Sequence, residues 1–140
     1  MNELKFAIDY GVIGILALMS VIAVAIAVER WSVLRKVHVE DFANKKELEL
    51  FITHKIHVIA TIGSNAPYVG LLGTVLGIML TFYTMGEKGL ANSNEMMIGL
   101  ALALKATASG ILVAIPSTVL YNFILRKIKV LLLKWDIAHG

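Results

Sequence analysis

The chain has no cysteine and only two prolines among its 140 residues. The first absence excludes a disulfide framework and any thiolate metal site. The second leaves long stretches in which nothing interrupts a helix. Four histidines offer little in their place, because His54 and His57 lie three apart with no further ligand near them, and His38 and His139 make no better case. They read as a solvated helix face, so no metal and no cofactor is expected. Most telling is where charge is missing. Tyr10 to Val28 and Val58 to Gly86 carry none, and Met96 to Leu125 carries only Lys105. Each run is long enough to cross a bilayer as a helix. At 58% hydrophobic residues and a mean hydropathy of +0.78, there is too much apolar material for one small soluble core. The composition is that of an all-α integral membrane protein.

The charges that exist are sorted by position. Ten of the 13 Lys and Arg fall in residues 29–57 or after residue 125, whereas Lys5 and Lys88 lie on the opposite side. The net charge of +3 therefore reflects positive-inside asymmetry rather than nucleic-acid binding. We expect a single domain over 1–140, with spans at about 10–28, 66–86 and 96–125, a cytoplasmic segment at 29–57 and a cytoplasmic tail at 126–140. The N-terminus is then outside and the C-terminus in the cytoplasm. Ala23-Val24-Ala25 imitates a signal-peptidase site, but the basic residues follow the apolar run instead of preceding it, so an uncleaved anchor is expected, with Trp31 at the interface.

Between the first two spans, Asn44 followed by Glu47 resembles a capping box, and Leu48, Phe51, Ile52, Ile56 and Ile59 recur at helical spacing. This predicts a short amphipathic helix feeding the second span. Gly63-Ser64-Asn65-Ala66-Pro67 predicts a kink or a break. Glu87 to Asn94 is the outer turn, with Gly86, Gly89, Asn92 and Ser93. After Asn122 the helix continues as an amphipathic tail that places Leu125, Ile128, Leu132 and Trp135 on one side, against the surface or the helix at 45–59.

At about 100° per residue, Gly70, Gly73, Thr74, Gly77, Thr81 and Thr84 share one arc of the second span, opposite Leu72, Val75, Leu76, Met79 and Tyr83. Ala103, Thr107, Gly110, Ala114, Thr118 and Tyr121 share an arc of the third. The short turn makes the two helices an antiparallel pair, so residues whose numbers sum to about 181 match in depth. Thr74 and Thr107 do. At roughly 18 Å from the turn they fall near the bilayer middle. Such stripes serve helix packing. Two of them on a three-span chain also suit an oligomer whose copies surround a hydroxylic lining. Neither apolar run holds Asp, Glu or His, so a proton passing here needs a carboxylate from another chain. Lys105, about 15 Å below the turn by the same count, must face protein or water, as a subunit contact or a gate.

Ala66 to Met79, and Gly99 to Asn122 with Ala106-Thr107-Ala108-Ser109-Gly110 and Ala114-Ile115-Pro116, resemble the second and third spans of the ExbB/TolQ/MotA proton-channel family. The resemblance is nearest the ExbB branch, with TolQ next. It implies a pentameric ring in the bacterial inner membrane, with helices 2 and 3 extended into the cytoplasm and a central pore around the transmembrane helix of an ExbD-like partner. That partner's aspartate would carry protons, and the resulting motion would reach a TonB-like protein to energise transport across the outer membrane. The protein would be no enzyme. Thr74 and Thr107 match the family's pore threonines, with Thr81 and Thr118 as further lining. Pro116 matches the third-span proline, and Pro67, Gly73, Gly77 and Gly110 serve kinking and packing. Two departures stand out. Leu102 occupies the position of a frequent glutamate, and Lys105, about 60° from it on the same face, stands where an apolar residue is usual. Two other readings remain open, a TolQ-like stator of an envelope system and a passive scaffold for a partner's helix. A small exporter lacks the embedded acid and internal repeat it would need.

Overall fold

The computed structural model describes residues 2–88 and 93–140, so Gly89 and Asn92 of the expected outer turn lie outside the described residues. Four α-helices account for nearly all of it: α1 (Asn2–Lys36), α2 (Lys45–Ile52), α3 (Ile56–Lys88) and α4 (Ser93–His139), with a 3-10 turn at Val39–Asp41. α1, α3 and α4 are each long and apolar enough to cross a bilayer. The chain is thus an all-α membrane protein with three such helices. α1 already starts at Asn2, so the polar residues ahead of the first apolar run are helical too.

Two differences from the sequence reading concern breaks. α3 passes through Pro67 without a break, as α4, where no break is expected, passes through Pro116. Proline deletes one backbone donor, and in a membrane helix that loss is tolerated where neighbouring elements hold the segment. Here Ala66 is fully buried beside Pro67, and Thr118 of α4 seats against Gly63. The break falls instead at Thr53–Lys55, inside the expected continuous stripe from Leu48 to Ile59, where Lys55 takes a φ of 66°. Asn44 caps α2 as expected, but its side chain accepts from Lys46 N at 2.9 Å, one residue short of the capping-box partner.

The bulky core lies at the end of the helices away from the α3–α4 turn. Leu34 of α1, Leu48 and Ile52 of α2, Ile59 of α3 and Ile124, Ile128 and Leu131 of α4 form one buried cluster. The α4 tail therefore packs on α2, as its amphipathic pattern predicts, and Lys45–Asp136 at 2.9 Å and Trp135 Nε1 to Phe42 O at 2.8 Å fasten it. Phe51, expected in the stripe, is largely exposed. Arg30 is the unexpected member, buried to 4% exposure, with Nη2 donating to Phe51 O at 2.7 Å. That carbonyl is near the C-terminus of α2, where a cation also meets the negative end of the helix dipole. Arg30→Met should lower stability by about 2 kcal/mol, the worth of a buried charged hydrogen bond. Thermal unfolding of the purified protein measures it, and a wild-type midpoint would show that the contact contributes nothing.

Candidate functional site: the seam between the second and third long helices

α3 and α4 run antiparallel, and from Gly63 to Thr81 the residues that meet keep a nearly constant sum of residue numbers. Thr81 meets Gly99, Gly77 meets Ala103, Gly73 meets Ala106, Gly70 meets Gly110 and Gly63 meets Thr118. The predicted register holds. The small-residue stripes face each other across the seam, and the closest point is Gly70 against Gly110, where a Cβ on Gly110 would lie 2.7 Å from Ala66 O. This is the close approach that small residues permit in membranes. α1 covers one side, where Val12 and Leu16 join Ala66, Ala106 and Ala114 in a second buried cluster.

Thr74 and Thr107 meet within this seam, their hydroxyls in hydrogen-bond contact. Thr74 is buried at 6% exposure, and its Oγ1 donates to Ala103 O at 2.9 Å, with Gly70 O farther off at 3.3 Å. A hydroxyl has one proton and two lone pairs. With its proton on a carbonyl, Thr74 accepts from Thr107. Thr107 is only half-buried, and its own lone pairs stay available to a donor from outside the chain.

The other sequence candidates sort by position. Thr81 is half-buried on the same seam and bonds back to Gly77 O at 2.8 Å, whereas Thr118 is exposed. Gly73, Gly77 and Gly110 are packing positions. Leu102 and Lys105 do share a face, lining a cleft of about 390 Å³ with Lys5, Phe6, Asp9 and Tyr10 of α1. Ser109 touches Lys105 only through the backbone, donating to its carbonyl at 2.9 Å. Lys105 therefore stands level with Lys5 and Asp9, the charged residues that precede the first apolar run. Gly73, next to Thr74, lies against Val12 of α1.

Sequence reasoning passed over Thr61, Ser64, Tyr68 and Asn122, all exposed. At about 100° per residue they fall away from the side that α1 covers, as Thr118 does. Ser64 Oγ bonds to Ala60 O at 3.0 Å, and Asn65 Nδ2 to Thr61 O at 2.8 Å, so these polar groups are satisfied within α3. Their signal was uncharged polarity inside an apolar run, off the small-residue arc. Among the described residues no group of three or more His, Asp or Glu could hold a metal.

The profile described as the MotA/TolQ/ExbB proton channel family matches residues 36–137. A biopolymer transport protein ExbB of Aquifex aeolicus (strain VF5) is 57% identical over 140 residues, covering 100% of this chain and 95% of that protein. A putative biopolymer transport protein ExbB-like 2 of Helicobacter pylori (strain ATCC 700392 / 26695) is 50% identical over 136 residues, 97% and 91% of the two chains. A biopolymer transport protein ExbB of Helicobacter pylori (strain J99 / ATCC 700824) is 44% identical over 137 residues, 98% and 94%.

Proposed function

Because the chain belongs to the MotA/TolQ/ExbB proton channel family, whose members are transport components and not enzymes, we propose that it is the channel-forming stator subunit of a proton-driven machine in the bacterial inner membrane. Five copies surround the transmembrane helix of an ExbD-like partner. That helix brings the aspartate this chain lacks, and its motion reaches a TonB-like protein that works on the outer membrane. The N-terminus is periplasmic and the α4 tail cytoplasmic, in line with the clustering of Lys and Arg at the inner end. The whole of 1–140 acts as one channel domain.

The observation that carries this reading is the Thr74–Thr107 pair. Two runs without an acid present a hydroxyl whose lone pairs are free to receive a proton-bearing group from another chain. The exposed Thr61, Ser64, Thr118 and Asn122 continue a polar face toward the inner end. Lys105 and Leu102 contact α1 and take no part in this face. The ExbB names of the relatives favour an ExbB role over a TolQ-like one.

The burial of Thr74 against its own chain favours a second reading, a passive collar whose seam only packs. Co-reconstitution with the partner separates them. Proteoliposomes under a membrane potential should acidify when the partner's aspartate is intact and stay flat when it is Asn. Equal traces from both preparations would leave the collar. A count of chains in the purified complex tests the fivefold ring.

A further inference from the structure

At the inner end, α1 and α4 leave a groove of about 630 Å³ that the seam does not use. Its walls are apolar, with Val24 and Val28 on α1 and Phe123 on α4, each exposed by about half or more. Trp31 stands at its mouth, followed by Arg35 and Lys36. The run from Val24 to Arg35 is about 16 Å of helix, enough to lay much of an extended acyl chain along it. The two cations beyond Trp31 are exposed, and among the described residues neither has a carboxylate within ion-pair reach. Two of the acids at this end are engaged elsewhere, Glu29 near Lys55 at 3.9 Å and Asp136 on Lys45.

An apolar slot that ends at an indole and then at two unpaired cations has the order of groups found along a phospholipid, chain first, then interface, then phosphate. We propose that this groove is a binding site for an anionic phospholipid, with one acyl chain along Val24, Val28 and Phe123 and the phosphate held by Arg35 and Lys36. A second copy of the chain would have to bring carboxylates to the same spot. A zwitterionic lipid fills the slot equally well but gains less from the cations. Near an anionic headgroup each of them contributes a factor of about five in affinity.

Trp31 reports on its own site. With Trp135→Phe it is the sole tryptophan. In vesicles with a minority of brominated lipid, its fluorescence should fall several-fold more with brominated phosphatidylglycerol than with brominated phosphatidylcholine of the same chains. Arg35→Gln with Lys36→Gln, both on exposed positions, should erase that difference without changing the helical circular dichroism. Equal quenching by the two lipids would overturn the proposal. So would quenching by neither, which would mean that a neighbouring copy fills the groove.

Discussion

Thr107→Val should cut proton-driven activity about 10- to 100-fold, the range expected when one hydrogen bond to a charged group is lost. The substitution keeps the branched shape and removes only the hydroxyl that offers lone pairs beyond the chain. Thr107→Ser should keep most of the activity. Thr74→Val should fall to a similar level by a different route, since Thr74 accepts the Thr107 proton and so fixes which way that hydroxyl faces. Neither loss is large enough to unfold the protein, because a neutral hydrogen bond contributes only about 1 kcal/mol net. The measurements are partner-dependent proton flux and the amount of assembled complex. Wild-type flux from both valine variants would remove the threonine pair from the mechanism and leave it as packing.

The second large effect belongs to the crossing point. A side chain on Gly70 would put its Cβ 2.5 Å from Ala106 O and 3.0 Å from the Gly110 Cα. Those are backbone atoms of a helix, and they cannot swing aside as a flexible side chain would. Gly70→Val or Gly110→Val must push α3 and α4 apart, undoing the Thr74 bond to Ala103 as well. The expected cost is about 3–5 kcal/mol, at the severe end for a single substitution and enough to remove most folded protein. Gly14→Ala is the control. Nothing lies within 4 Å of its built Cβ, and alanine in a helix interior should be neutral or stabilising by about 0.5–1 kcal/mol. Folded yield and thermal midpoint in detergent distinguish these cases. A stable Gly110→Val protein would contradict the close seam.

The seam was legible in the sequence because the turn between α3 and α4 is short, which converts residue number directly into depth. Thr74 finding Thr107, and Gly63 finding Thr118, follow from that one constraint. No such constraint ties α1 to the hairpin. A long connection separates them, and the level at which α1 docks is set by Val12 and Leu16 fitting against Ala66 and Ala106. Apolar periodicity does not encode that fit, so the sequence does not show that Lys105 lines a cleft with Lys5 and Asp9 of α1. The burial of Arg30 is hidden in the sequence for a related reason. Its place after an apolar run marks it as an interfacial charge, and only the return of α2 over it makes it buried. Pro67 shows the converse. Local rules call for a kink or a break, while packing on both sides keeps the helix unbroken.

α4 has a mechanical consequence. It runs unbroken for 47 residues, about 70 Å, from beside the outer turn to the inner face where Trp135 and Asp136 are clamped. A strut of that kind does not absorb a twist applied at one end. On the proposed function, a tilt imposed on α4 near Thr107 would reach α2 and the segment before it, because Lys45–Asp136 and Trp135–Phe42 tie them to the far tip.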